Sequence, residues 1–319
     1  MQAPKYKPLK PEYLEKLNWY YLSENPNAIH LLEYYPEFIK WLHLSANPNA
    51  IHILEQNIDK IDWWQLSMNP NAIPLLERFP EKIHWMELSF NPNAIHLLEQ
   101  NIDKIDWKLL SLNPNAIPLL EQHLNMINWH VLSANPNAIS LLERHPDKID
   151  WFELSSNPNA ISLLERFPHK IDWCELSHNP NGIHLLEQYP EEINWYALSH
   201  NPNGISILNK YPEKIEWEIL SCNPNAIPLL EKNIEQINWE MLSQNPNAIH
   251  ILKKNIEKVD WSYMSGNINI MNIILDYEIM KTAIQPLAEE LSAFVFHPNR
   301  LNSLSETYDI SFEQLLSIY

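Results

Sequence analysis

Histidine and cysteine are the residues of this sequence with the clearest chemical potential. His178, His200 and Cys222 stand 22 residues apart, and imidazole and thiolate groups are ligands for zinc. If the helices that carry them pack side by side, their backbones lie about 8–10 Å apart, so one ion would require two side chains to lean together. We therefore interpret these residues as solvated and predict no metal site and no cofactor.

Sequence motifs of catalysis are missing. The chain has no Gly-rich phosphate loop, no H-E-x-x-H, no G-x-S-x-G and no C-x-x-C. Carboxylates recur at fixed positions, such as Glu33, Glu77 and Glu165, which is typical of a solvated helix face. We predict that the protein is not an enzyme.

A 22-residue repeat organises the chain. Twelve of the thirteen tryptophans follow one another at this interval: Trp19, Trp41, Trp63, Trp85, Trp107, Trp129, Trp151, Trp173, Trp195, Trp217, Trp239 and Trp261. Six residues after each Trp comes Asn-Pro-Asn, replaced by Asn267-Ile268-Asn269 in the last repeat. A fixed period of this length indicates a stacked-repeat architecture. We expect the Trp column to be core and the Asn columns to cap turns.

The residues around Asn-Pro-Asn indicate helices rather than the strands of leucine-rich repeats, whose L-x-x-L-x-L pattern is absent. Pro74 fits only the first turn of a helix, which predicts a first helix from Ala72 to Phe79 capped by Asn71. A second helix contains Trp63 to Met68. Asp or Asn precedes nine of the twelve Trp residues, and two of these sites, at Asp150 and Asp172, resemble a capping box. The second helix begins there or one turn earlier, at positions such as Pro146.

These signals predict an all-α fold, an α-solenoid of twelve two-helix repeats over residues 19–272. Residues 1–18 would form an N-terminal cap and residues 273–319 a C-terminal helical cap, because an open array exposes its core at both ends. Helices about 8–10 Å apart would give a rod or arc roughly 100 Å long.

The two residues after each Trp vary together. In most repeats one is apolar and the other polar, as in Leu42/His43 and Lys108/Leu109. Pro five places before Trp accompanies apolar-first pairs and Ile or Leu accompanies apolar-second pairs, with exceptions at Pro212 and Ile58. We interpret this as two packing subtypes in which the Trp-bearing helix rotates to keep its apolar side chain inward.

The most variable column lies just before Asn-Pro-Asn, and it is the best candidate for binding. It contains Met68, Phe90, Leu112, His178 and His200. Met68 and Phe90 lie four residues after Trp64 and Met86, so each pair shares a helix face. Trp64, Met68, Met86, Phe90 and Leu112 would form an apolar patch of several hundred Å², a size typical of partner sites. The rotation hypothesis would leave Trp64 and Met86 partly buried.

Composition restricts the partner. The net charge is −18, with 40 acidic and 22 basic residues, which disfavours nucleic acid and anionic membranes. Two cysteines and no signal peptide or long apolar run predict a soluble protein of a reducing, intracellular compartment.

The unit N-P-N-A-I-x-L-L-E, followed by x-I-x-W-x-x-L-S, resembles the tandem repeats of an uncharacterised family of proteins from giant DNA viruses. The segment from Phe294 to Arg300 is similar to a short F-H-P-x-R motif of such viral proteins. The resemblance covers residues 19–270 and implies a viral protein in host cytoplasm or in the virion, but no activity. We expect a protein–protein interaction scaffold with an unknown protein partner. The alternatives are a self-assembling structural protein of the virion or viral factory, and an acidic decoy for a basic host protein.

Overall fold

The computed structural model describes residues 14–274. The chain divides into two compact units, one made of residues 1–15 and 273–319 and the other of residues 16–272. The second unit holds all twelve repeats. The two predicted caps, 1–18 and 273–319, fall almost entirely outside the described residues.

Each repeat folds into two short α-helices, which a 3-10 turn follows in the first eleven repeats, and no strand occurs in residues 14–274. The all-α solenoid is therefore confirmed. The helix that begins at the repeat's Trp, here called the Trp helix, spans Trp19–Glu24, Trp41–Ala46, Trp63–Met68, Trp85–Phe90, Trp107–Leu112, Trp129–Ser133, Trp151–Ser156, Trp173–His178, Trp195–His200, Trp217–Leu220, Trp239–Gln244 and Trp261–Gly266.

The helix after the Asn-Pro-Asn turn, here called the Ile helix, spans Ile29–Tyr34, Ile51–Glu55, Ile73–Arg78, Ile95–Glu99, Ile117–Gln122, Ile139–Arg144, Ile161–Arg166, Ile183–Gln188, Ile205–Leu208, Ile227–Lys232, Ile249–Lys254 and Met271–Ile274. The 3-10 turns that lead to the next repeat are Pro36–Phe38, Ile58–Lys60, Pro80–Lys82, Ile102–Lys104, Leu124–Met126, Pro146–Lys148, Pro168–Lys170, Pro190–Glu192, Pro212–Lys214, Ile234–Gln236 and Ile256–Lys258.

In nine of the twelve repeats an Asp or Asn caps the start of the Trp helix, and the other three helices begin at Trp without a side-chain cap. All nine such side chains accept a backbone N–H of the first turn, as Asp106 Oδ1 does from Leu109 N at 2.8 Å. Pro146 instead opens the separate 3-10 turn Pro146–Lys148. The capping box at Asp150 is only half formed, because the Asp150 N–H donates to Ser133 Oγ of the preceding repeat.

The predicted cap of the Ile helix is wrong. The N-cap of Ile73–Arg78 is Ala72, without a side-chain hydrogen bond, and Pro74 is the second helical residue. The Asn71 side chain instead bonds to the preceding repeat, where its Nδ2 donates to Pro48 O at 2.9 Å. Its backbone N–H donates to Asn69 Oδ1 at 3.0 Å. The second Asn therefore joins repeats instead of capping a helix.

Four side-chain hydrogen bonds recur between neighbouring repeats. The first Asn is buried, and its Nδ2 donates to two carbonyl oxygens of the preceding repeat, as Asn69 does to Ser45 and Asn47 at 3.1 and 3.0 Å. The second Asn donates to the preceding Pro carbonyl. The buried Ser45 hydroxyl accepts the N–H of Asp62 at 3.0 Å. Because buried polar groups are costly unless paired, this ladder fixes the stacking register.

The ladder also joins the last repeat to the first, so residues 16–272 form a closed ring. Asn25 Nδ2 donates to Ser265 O and Asn267 O at 3.3 and 2.9 Å. Asn27 Nδ2 donates to Ile268 O at 2.8 Å, and Asn18 N donates to Ser265 Oγ at 2.8 Å. These are the four bonds of every other junction. The expected open rod or arc is therefore wrong, and each end of the array covers the core of the other.

The core consists mainly of leucines, with Ala, Ser and the first Asn of each turn between them. The Trp column is not core, which corrects our expectation: Trp19 is buried, but the other eleven are half-buried. In seven repeats the Trp ring contacts a Phe, Tyr or His sixteen residues later, as Trp63 contacts Phe79. In four others a Lys lies over the ring, as Lys104 does over Trp85 at 4.3 Å.

Trp helices line the inside of the ring. Most neighbouring Trp helices have many backbone positions within 8 Å of each other, whereas neighbouring Ile helices have few or none. In a closed ring the more closely spaced layer lies at the smaller radius. Twelve helices spaced about 8–10 Å apart place their axes roughly 15–19 Å from the centre, which leaves an opening roughly 20–25 Å across.

Candidate functional site

The inner wall of the ring is the surface with the most varied chemistry. Leu66 and Ser67 of one Trp helix are fully buried. At 100° per residue, the opposite face of that helix carries the side chains one, two and five residues after Trp. These three positions in all twelve repeats are here called the inner wall. They include the whole variable column that precedes Asn-Pro-Asn.

The predicted rotation of the Trp helix does not occur. The residue directly after Trp is exposed in all twelve repeats, and the next residue is always less exposed, whichever of them is apolar. Thus Leu42 is exposed and the following His43 is half-buried, just as Lys108 is exposed and the following Leu109 is half-buried. The inter-repeat ladder holds every Trp helix in one orientation, and in nine of the twelve repeats the N-cap adds to it. Apolar-first repeats consequently present an apolar side chain to the opening.

The predicted apolar patch lies on this wall. Trp64, Met86 and Phe90 are 44%, 56% and 44% exposed, and Met68 and Leu112 are half-buried. Their three Trp helices are consecutive and packed together. The expected partial burial of Trp64 and Met86 is wrong for the reason given above. Trp64 Nε1 donates to Glu87, a buried carboxylate on the next helix.

A second group on the wall contains His and Cys side chains. His178 and His200 are exposed, with ring centres 6.5 Å apart. Cys222 Sγ lies 3.7 Å from His200 Nδ1. The ligating atoms of Cys174, Glu175 and His178 all lie within 4.8 Å of one another. Burial, followed by the charges of Glu175 and Asp172, raises the pKa of the Cys174 thiol.

His178, His200 and Cys222 were candidates from the sequence, but Cys174 and Glu175 were not, because only equivalent positions of different repeats were compared. The available signal was the four-residue spacing of Cys174 and His178, which puts both on one face of a single helix.

A cavity at the closing junction was also missed. It has a volume of about 360 Å³ and is lined by Tyr21, Glu24, Asn25, Pro26, Gln244, Tyr263 and Gly266. Gly266 leaves room there, since a Cβ at this position would meet only Tyr21, at 3.9 Å. The residues that line it are distant in sequence, and only closure of the ring brings them together.

The outer surface carries ion pairs between successive Ile helices. The carboxylates of Glu33, Glu77 and Glu165, predicted to be solvated, are exposed and accept from His52, His96 and His184 at 2.8, 3.0 and 2.6 Å. The hydrogen bond from His52 is the main cause that lowers the pKa of Glu33. Arg or Lys takes the histidine's role at four other junctions.

No protein-family model, curated protein or solved structure matches this chain. The resemblance to giant-virus repeats therefore stays a prediction. Within residues 14–274, no helix has the length and apolar character needed to cross a bilayer.

Proposed function

We propose that the ring binds a protein partner through an apolar segment laid against its inner wall, and that it catalyses no reaction. One observation carries this proposal. Thirteen large apolar side chains are exposed in residues 14–274, and eight of them are on the inner wall: Tyr20, Tyr21, Leu42, Trp64, Met86, Phe90, Phe152 and Tyr196. Concentration of apolar surface on one concave face is typical of binding sites.

The chemistry of the wall defines the segment. Six of the eight exposed apolar residues are in the first four repeats, which form a continuous arc. The wall also carries six glutamates, at positions 24, 87, 153, 175, 218 and 240, and its only Lys or Arg is Lys108. We therefore expect a segment with apolar anchors and basic flanking residues. The opening, roughly 20–25 Å across, admits an α-helix about 10–12 Å in diameter.

The two alternatives gain less support. Head-to-tail assembly requires a free repeat face, and in the ring the first and last repeats occupy each other's faces. An acidic decoy requires free negative charge, whereas many outer carboxylates are paired with His, Arg or Lys of the next repeat. Because the repeats resemble those of giant-virus proteins, we expect the partner to be in an infected cell.

Selection from a phage-displayed random peptide library on the immobilised full chain tests this proposal. We expect selected peptides to be rich in large apolar residues and in Lys or Arg. The double variant Met86→Ser/Phe90→Ser should weaken their binding at least about tenfold, since two apolar contacts are worth well over 1.4 kcal/mol.

The matched control is Leu124→Ser/Met126→Ser, which removes two exposed apolar side chains from a 3-10 turn outside the wall. It should bind like the unaltered chain. Equal binding by both double variants, or no enrichment of apolar peptides, would refute the proposal.

A further inference from the structure

The wall residues of the eighth and ninth repeats have the composition of a metal site. Cys174, Glu175 and His178 lie on one Trp helix, and their ligating atoms are within 4.8 Å of one another. His200 extends from the next Trp helix, with its ring centre 6.5 Å from that of His178. We propose that Cys174, Glu175, His178 and His200 bind one Zn²⁺ ion. This proposal does not depend on peptide binding, which we assign mainly to the first four repeats.

The donor types fit zinc. Thiolate, imidazole and carboxylate are its usual protein ligands, in a tetrahedral set of four. Carboxylate-only chemistry would suit magnesium or calcium, but a thiol and two imidazoles select a softer ion. On binding, the Cys174 thiol releases its proton to solvent and coordinates as the thiolate.

The distances require only small movements. Tetrahedral bonds of about 2.0–2.3 Å place zinc-bound N and S atoms about 3.5 Å apart and two shared imidazole ring centres about 5 Å apart. The observed separations, 6.5 Å between the ring centres and at most 4.8 Å between the ligating atoms, exceed these values by no more than about 1.5 Å. Cys174, His178 and His200 are exposed, so a change of rotamer suffices, while the ladder holds the two helices at a fixed spacing.

The surroundings favour a cation. None of the Trp helices Trp151–Ser156, Trp173–His178 and Trp195–His200 contains Lys or Arg. The N-cap Asp172 lies close enough to the Cys174 thiol to raise its pKa. Asn194 Nδ2 donates to Cys174 Sγ at 3.3 Å, an outer contact that orients the sulfur.

Metal binding to the full chain tests the proposal. After incubation with Zn²⁺ and desalting, elemental analysis should find one zinc per chain. Loss of a residue that only hydrogen-bonds to a metal ligand already lowers metal affinity about 10–100-fold. Removal of a ligand itself, by Cys174→Ser, His178→Ala or His200→Ala, should therefore lower zinc affinity at least about 100-fold, as measured by competition with a chelator. Substitution with Co²⁺ should give a thiolate-to-cobalt absorption band that Cys174→Ser abolishes.

Two matched controls separate this site from incidental binding. Cys222→Ser removes the neighbouring thiol, and His184→Ala removes an exposed histidine of the same repeat on the outer surface. Both should keep zinc affinity and the cobalt band. No stoichiometric zinc in the unaltered chain would overturn the proposal, as would undiminished binding by any of the three ligand variants. Loss of the band in Cys222→Ser would also overturn it. Circular dichroism of each variant verifies the fold.

Discussion

Closure of the ring can be tested at a single buried side chain. Asn25 belongs to the first repeat, and in an open array its amide would have no preceding repeat to bind. In the ring it is 3% exposed and donates to Ser265 O and Asn267 O. Its Oδ1 accepts from Asn27 N at 3.0 Å. The variant Asn25→Ala removes all three hydrogen bonds.

The expected cost follows from these bonds. At a net 0.5–1.5 kcal/mol each, the three hydrogen bonds make Asn25→Ala cost about 1.5–4.5 kcal/mol in free energy of unfolding. Asn113, in the fifth repeat, makes the same three bonds at 3.1, 2.9 and 3.0 Å, so Asn113→Ala should cost the same. An open array would keep only the bond to Asn27, and Asn25→Ala would then cost only about 1 kcal/mol.

Urea unfolding, followed by Trp fluorescence and circular dichroism, measures both variants at unchanged slope. Asn27→Ala is the matched control, because its exposed side chain makes one bond, to Ile268 O, that water can replace. It should cost less than about 1 kcal/mol. If Asn25→Ala behaves like Asn27→Ala while Asn113→Ala is strongly destabilised, the ring does not close.

Two further results are expected. In His52→Gln the pKa of Glu33 should rise back toward 4.5, because the hydrogen bond from His52 is the main cause of its depression. The pKa of Glu33 is lower in the folded chain than in the unfolded chain. The pair of His52 and Glu33 therefore stabilises the fold at pH above the unfolded pKa, and this stabilisation is lost as the pH falls through the folded pKa. Screening at the 44% exposed carboxylate keeps the effect small. NMR titration of Glu33 measures the shift, and an unchanged pKa would contradict the assignment. Lys104→Gln should cost about 0.5–1 kcal/mol in urea unfolding, because Lys104 Nζ lies 4.3 Å from the Trp85 ring centre. Lys108→Gln, an exposed wall residue, should cost nothing measurable, and equal losses would argue against the cation–π contact.

Local structure was predictable from sequence because it depends on neighbours in the chain. Asp and Asn before Trp do cap helices, and the helix Trp63–Met68 begins at the later of the two starts that the sequence left open. Asn71 was assigned wrongly because its true partner, Pro48 O, is 23 residues away. Hydrogen bonds across a junction leave no trace in local propensity.

Closure of the ring could not be predicted from the sequence, because it depends on the sum of the rotations between neighbouring repeats at all twelve junctions. An error of a few degrees in each rotation separates a ring from an open coil. One signal was present: the twelfth repeat keeps its buried positions, with Met264, Ser265 and Asn267 fully or almost fully buried. A terminal repeat facing solvent would have polar residues there.

Only the column before Asn-Pro-Asn was predicted to be a binding surface. The two residues after Trp were interpreted as a packing pair, although the first of them is exposed in every repeat. Trp64 does not turn inward, because the hydrogen bonds of the ladder stabilise the orientation of each Trp helix more than burial of one apolar side chain would favour its rotation. The cluster at Cys174 was missed because metal ligands were sought between repeats and not within one helix.

The closed ring also constrains how this sequence can evolve. Tandem repeats readily gain and lose copies, and an open solenoid accepts such changes because each unit contacts only its neighbours. In a ring of twelve repeats, neighbouring repeats are rotated by about 30° relative to each other, whereas a ring of eleven would need about 33° at every junction. Loss of one unit would therefore strain every remaining junction at once or break the circle at one point. We expect the number of repeats to be under far stronger selection than the residues on the inner wall.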